Sequence, residues 1–352
     1  MSAIDDALIG LEPGQDEEFE ILAELSDEEK TAWDVIRGRI ERREETLSFS
    51  SAKAFRKSPF HFVRYKLKKK ADTPATIFGD YFDCITTTPG ETEDRFASEP
   101  ADGKLNSLKG CDVLLKFYGE ILKAEIKQLD EALALRLNQD EYDRKTALNE
   151  VVFSISQDLR DGTKMDDKKE TIKEARAMCK KKIVTEKQIT LAEAMKNRLY
   201  RNETAGRFMN RLTSTQVAVE FEAFGWKWKG KFDGESDTEV IDLKVMARDA
   251  SFETAQRTIR TERYNWQGAL YAIGARQGKK KFYNICIDAS LGVTVIHIKR
   301  HELIKAWNQI EETVTDFERC IYEGLDDPGI WFSSYDFFAP RNGVYEFGTY
   351  DY

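Results

Sequence analysis

The sequence predicts an α/β fold: a central mixed β-sheet flanked by helices, with a large helical elaboration in its N-terminal half. Three observations predict it. From Leu105 to about Tyr200 apolar residues recur at helical spacing, as in Leu114, Leu115, Tyr118, Ile121 and Leu122. After Arg211 the apolar period changes to two, the spacing of strands. Strand-like and helix-like stretches then alternate as far as a long amphipathic helix from His301.

Residues 1–45 form an acidic segment, helical in part over "LSDEEKTAWDVIRGRIERREE", where Ser26 and Glu29 are spaced for a capping box. Residues 46–210 read as a helical region with an insertion around 105–182. At its start, in "LSFSSAKAFRKSPFHFVRYKLKKK", Ser50 or Ser51 is expected to cap a short helix ahead of Phe55. Pro59 starts a second helix, which ends in a basic cluster. Thr190 and Glu193 fit another capping box and predict a helix start there.

Residues 211–325 are the expected sheet-bearing core. "TQVAVEFEAFGWKWKGKFDG" alternates through Val217, Val219 and Phe221, turns at Phe224-Gly225 and returns through Trp226, Trp228 and Phe232, which is a hairpin. "TEVIDLKV" is a third strand, and helical segments follow from about Phe252 to Gln277. "KKFYNICI" and "GVTVIHI" are two more strands. In the last helix Leu303, Ile304, Trp307, Ile310, Val314, Phe317 and Ile321 make one stripe suited to covering a sheet. Residues 326–352 are an aromatic, turn-rich tail expected to pack on the body or on a neighbouring subunit.

Composition narrows the chemistry. Of 352 residues, 33% are charged and 41% hydrophobic, a soluble globular balance, and no apolar run reaches the ~20 residues of a membrane-spanning helix. The opening "MSAIDDALIGLEPGQDEEFE" lacks the basic-then-apolar order of a secretory signal, so a cytoplasmic setting and no membrane partner are expected. Five scattered cysteines without a CxxC pair indicate neither a disulfide framework nor a zinc or iron–sulfur site. Three histidines without HExxH spacing argue against a zinc hydrolase, so any bound metal is expected to have oxygen ligands. The net charge of −9 is concentrated at the N-terminal end: residues 1–45 carry 15 Asp/Glu against 5 Lys/Arg, a balance of −10, which leaves +1 for the rest. A near-neutral body with local basic clusters remains compatible with a polyanionic partner.

One stretch concentrates the chemistry. In "KGKFDGESDTEVIDLKVM" Asp233 falls near the end of the second hairpin strand, and Asp242 and Lys244 lie two apart on the third, so the latter two point to one side of the sheet. Two converging carboxylates repel unless a cation neutralises them, and hard oxygen ligands suit Mg²⁺, with Mn²⁺ able to substitute. An exposed Asp-Lys pair of little energetic worth is the bland reading of "DLK" alone. The next helix carries "YNWQGALY", where Tyr264, Gln267 and Tyr271 share a face and can look back over the strand ends.

Aspartate, an eight-residue spacer and DLK on adjacent strands, followed by Gln-xxx-Tyr on a helix, resemble the PD-(D/E)xK (restriction-endonuclease-like) nuclease superfamily. More narrowly, "LSFSSAKAFRKSPFHFVRYK", "TPATIFGDYFDCITTTP", "GKFDG…VIDLKV" and "YNWQGALYAIG" occur in the order seen in the RecE-like (exonuclease VIII C-terminal) nucleases of phages and prophages, over roughly residues 46–325. The resemblance implies metal ligation by Asp233, Asp242 and the Leu243 carbonyl, water positioning by Lys244, and orientation of the lysine or the DNA phosphate by Gln267 and Tyr271. At the family's metal-binding histidine this chain has Asp83, also a hard-metal ligand, with Asp80 nearby. For the glutamate that opens the family's hairpin the candidates are Gln216, Glu220 and Glu222, of which Glu220 and Glu222 could ligate. Ser58, His61, Arg64, Lys66, Lys68 and Tyr264 are the candidate nucleic-acid contacts.

The resemblance further implies a Mg²⁺-dependent exodeoxyribonuclease acting on linear double-stranded DNA ends, 5′ to 3′, that leaves 3′ single strands for phage recombination. A ring-like homo-oligomer and a single-strand annealing partner belong to the same expectation. Two rivals stand beside it: a RecB-like single-strand or flap nuclease, and a non-catalytic DNA-end-binding protein.

Overall fold

The computed structural model describes residues 26–67, 72–133, 139–160, 163–326 and 330–331. It divides into two compact units, one built from the chain up to Thr73 and from Met195 onward, the other from Pro74–Ala194. Among the described residues the strands, in chain order, are β1 Thr46–Leu47, β2 Phe96–Ser98, β3 Lys182–Val184, β4 Ser214–Ala223, β5 Trp226–Glu235, β6 Glu239–Met246, β7 Lys281–Asp288 and β8 Val293–Ile298.

The first unit holds a mixed sheet in the order β1-β5-β6-β7-β8, with β4 on the other edge of β5. The β4–β5 hairpin forms because Phe224 and Gly225 both take left-handed φ, 53° and 72°, the two-residue turn whose twist matches the strands. β5 alternates buried Trp226, Trp228 and Phe232 with exposed Lys227, Lys229 and Lys231. β6 and β7 are parallel along their full length, and β8 returns antiparallel to β7.

The second edge of β5 is divided. β1 pairs with it, parallel, at Lys227 and Trp228, and β6 pairs with it, antiparallel, only at Gly234 and Glu235. Between those pairings the β5 edge has no partner strand among the described residues. That opening positions the candidate site.

The helix Arg300–Asp326 lays Leu303, Ile310, Val314 and Phe317 into the core, with Ala306 and Cys320 completing the stripe. Ile304, expected in that stripe, is 44% exposed, because at 100° per residue it falls well to the side of the face that carries Leu303, Ala306, Ile310 and Phe317. The helix Asp27–Glu41 begins with the Ser26/Glu29 capping box read from the sequence. The helix Phe49–Lys57 starts earlier than expected: Ser48 is the cap, and Ser51 is its reciprocal partner one turn in. Helix Pro59–Leu67 follows directly. Of the aromatic tail, Ile330 and Trp331 are described, and Trp331 packs on Trp33, Phe62 and Phe317 of its own chain.

In the second unit the helices Leu108–Leu133, Gln139–Asp158 and Met165–Met178 share a core of Leu114, Leu115, Tyr118, Leu122, Val151, Ile155 and Ile172. β2 and β3 form a short parallel pair. The capping box expected at Thr190 lies five residues earlier: Thr185 and Gln188 exchange the two bonds, and helix Glu186–Arg201 starts there. The five cysteines are free, all buried except the partly exposed Cys179. Among the described residues no helix is long and apolar enough to cross a membrane.

Candidate active site

The register Gly234↔Ile241 would set Asp233 opposite Asp242 at its next position, and there the β5–β6 ladder stops. In place of a ladder bond, the Leu243 N–H donates to Asp233 Oδ2 at 2.6 Å, and Gln216 Nε2 donates to Oδ1 at 3.3 Å. In an extended residue N–H and C=O lie on the same edge, so the Leu243 carbonyl faces the Asp233 side as well. Asp242, 2% exposed, accepts from Gln267 Nε2 on Oδ1 at 2.9 Å. Its Oδ2 accepts from Asn284 Nδ2 at 3.2 Å and lies 2.5 Å from Lys244 Nζ. The ring of Tyr264 stands over Lys244 Nζ at 4.4 Å. Asp233, Asp242 and Lys244 thus meet where the two strands diverge, with Tyr264, Gln267 and Tyr271 arriving from the helix Tyr264–Ala269 and its continuation, which follow the helix Phe252–Thr261.

Tyr271 locks that helix to β5. It lies in a π-helical stretch, Leu270–Ala275, donates its hydroxyl to the Lys231 carbonyl at 2.8 Å, and accepts from Gln267 Nε2 at 3.2 Å. Such wide turns recur at functional sites. Gly230 allows the approach, since a Cβ there would lie 2.5 Å from Tyr271 Cε1. Beside this junction a groove of about 420 Å³ follows the open β5 edge, bounded by Ser48, Phe49, Gly230, Lys231, Gln267 and Tyr271.

Electrostatics set the two carboxylates apart from ordinary surface acids. Burial, and then the charge of Asp242, push Asp233 up to about 7, against the pull of Lys244, the Leu243 N–H and Gln216. Burial also raises Asp242, beyond what Lys244 and Asn284 relieve. For Lys244 burial favours the neutral amine, but Asp242, with Tyr264 and Asp233, outweighs it, and the ammonium is held above its usual range. Lys244 is therefore a fixed cation beside a strained pair of acids. Burial, then Asp242, raise the Tyr271 phenol to about 12, so it stays a neutral donor.

The remaining sequence candidates have the following surroundings. Gln216 reaches Asp233, while Glu220 and Glu222 are exposed on β4 opposite Lys229 and Lys227. Of the three hairpin candidates Gln216, a carboxamide, is the one that bonds Asp233, turned there by its φ of +50°, while Glu220 borders the groove beside Gln267 and Tyr271. Ser58 ends one helix and starts the next, and His61 Nδ1 lies 2.7 Å from its hydroxyl, a local capping pair. Lys66 is engaged by Glu45 at 2.7 Å, and Arg64 lies over the Phe60 ring. Lys68 lies outside the described residues. Asp83 belongs to the second unit, on helix Pro74–Thr87, where its carbonyl accepts from Thr87 Oγ1; Asp80 of that helix pairs with Lys182. Asn284 was not singled out from the sequence; its signal is one amide inside the apolar run "FYNICI".

Among the described residues no group of three or more His, Cys, Asp or Glu side chains is placed to hold a metal ion. The first unit offers two carboxylates and a backbone carbonyl. That set fits Mg²⁺, which binds through one or two carboxylates and keeps several waters, and the buried repulsion between Asp233 and Asp242 is what a cation would relieve.

A mixed sheet that forks at an acidic pair, followed on the same face by a lysine, is the arrangement expected of a PDDEXK-like domain. The chain belongs to the family of the PDDEXK-like domain of unknown function (DUF3799), whose model matches residues 48–328. No curated protein matches the chain. Among solved structures, a crystal structure from Eubacterium rectale named "Putative exonuclease" matches at 18% identity and a TM-score of 0.46, covering 86% of this chain and 87% of that one.

Proposed function

We propose that the protein is a Mg²⁺-dependent exodeoxyribonuclease that hydrolyses phosphodiester bonds from the ends of linear double-stranded DNA. The observation that carries this reading is the forked strand end, where Asp233, Asp242 and Lys244 converge in a buried setting. A bound divalent cation supplies polarisation of the phosphate and a lowered pKa for bound water. Asp233, Asp242 and the Leu243 carbonyl are the groups that would hold it. Lys244 is placed to pair with the negative charge that grows on the phosphate oxygens. Gln267 fixes the Asp242 carboxylate, and Tyr271 fixes Gln267 against β5. The 5′-to-3′ direction, 3′ single-stranded products, ring-like oligomer and single-strand annealing partner of phage recombination are carried by the RecE resemblance.

Linear duplexes labelled at the 5′ or the 3′ end, incubated with and without Mg²⁺, test the reading. Digestion should require the ion, release the 5′ label first and spare covalently closed circles; cleavage of circles would reject an exonuclease. Lys244→Ala should lower the rate by ~10³-fold with the fold intact.

A second reading, a non-catalytic DNA-end-binding protein, is favoured by one observation: Gln216, not a glutamate, faces Asp233. Calorimetric titration with Mn²⁺ separates the two, because an inert module would bind none at millimolar ion.

A further inference from the structure

We propose that Asn284 is a positioning residue of this site, its side-chain amide holding the Asp242 carboxylate in the orientation that receives a divalent cation. The inference rests on the nuclease reading above and adds to it a residue from a different strand.

Asn284 is fully buried on β7, among Phe282, Ile285, Cys286 and Ile287. The parallel register sets it beside Asp242, so the two side chains leave the sheet on the same face. A carboxylate's last torsion is broad and soft, and by itself would let the oxygens rotate. Here each oxygen is held by an amide: Gln267 Nε2 on Oδ1 at 2.9 Å and Asn284 Nδ2 on Oδ2 at 3.2 Å. Lys244 Nζ shares Oδ2 with Asn284, but an ammonium offsets the charge of the carboxylate, whereas the two uncharged amides orient it without doing so.

A purely structural role fits less well. The Asn284 Oδ1 atom is buried without a hydrogen-bond partner among the described residues, as is Gln267 Oε1. Each such acceptor carries an uncompensated desolvation penalty, which an aliphatic side chain of similar size would avoid. An amide at this point of an apolar strand weakens the fold and serves Asp242. Hydrogen-bond partners of metal ligands typically account for about 10–100-fold in metal affinity.

The test is calorimetric titration of the full-length protein with Mn²⁺ and Ca²⁺, comparing wild type with Asn284→Leu, and with Asn284→Ser as a smaller second variant whose hydroxyl cannot reach Asp242. Thermal unfolding in metal-free buffer is recorded alongside. Expected is a Kd raised by about 10–100-fold in both variants, with Asn284→Leu unfolding at or above the wild-type temperature. Unchanged Kd in folded variants overturns the inference and leaves the nuclease reading standing. Absence of binding by the wild-type protein at millimolar ion overturns both.

Discussion

Asp233 and Glu235 stand two residues apart on β5, and their surroundings treat them in opposite ways. Glu235 accepts from Arg276 Nε at 2.9 Å, Arg276 Nη2 at 3.0 Å and Lys280 Nζ at 2.8 Å. Burial would raise its carboxyl, but these two cations outweigh burial and hold it below the usual range. Asp233 has a backbone N–H and a carboxamide as hydrogen-bond partners and another acid as its neighbour, and it is pushed the other way. Glu235 is compensated and anchors the end of β5. Asp233 is left under-compensated, which disfavours the fold and prepares a place for positive charge.

The largest break in this comparison is Asp233→Asn. It removes one of two repelling charges, so the metal-free protein should unfold at a higher temperature while DNA digestion falls by ~10³-fold. A lower unfolding temperature would show that the repulsion is not there to be relieved. Next is Glu235→Gln, which should cost about 2 kcal/mol in urea denaturation at neutral pH through the loss of charge-assisted bonds. The sign with pH follows from its lowered folded-state pKa. The stabilisation is complete above the ordinary carboxylate value of 4.5 and is lost as pH falls through the lower folded value. The gap between wild type and Glu235→Gln should therefore close in acid; a gap independent of pH would assign the loss to shape alone. Smallest is Gly230→Ala, whose Cβ would press on Tyr271 and strain its bond to Lys231, at about 1 kcal/mol measured the same way.

Some of this was legible in the sequence, and the limits have physical causes. The hairpin turn was readable because Phe224-Gly225 is a local signal between two alternating runs. Asp242 and Lys244 were readable as a pair because a strand's period of two is strict. Gln267 and Tyr271 were readable as one helix face, although the structure turns Gln267 to Asp242 and the Tyr271 hydroxyl to the β5 backbone. Asn284 depends on the parallel pairing of β6 and β7, a register that no local pattern specifies. Gln216 depends on its left-handed backbone, which carries no signature in a glutamine. Cap positions slipped by two or three residues at Ser48 and by five at Thr185, because serine and threonine recur within reach of each helix start. Lys66 looked available to a phosphate because Glu45, its partner, is 21 residues away in the chain.

The π turn across Leu270–Ala275 lets one rod be fastened twice to the same rail. The Arg276 N–H closes onto the Tyr271 carbonyl at 3.1 Å, five residues back, so Arg276 sits one widened turn above Tyr271. An ordinary α turn would swing it round by about 140°. Tyr271 is thereby pinned to Lys231 and Arg276 to Glu235, a lower and an upper rivet on β5. Forcing that stretch into ordinary α turns at the same length would leave the lower rivet in place and swing the upper one off Glu235, so the strand end carrying Asp233 would lose its Arg276 fastening.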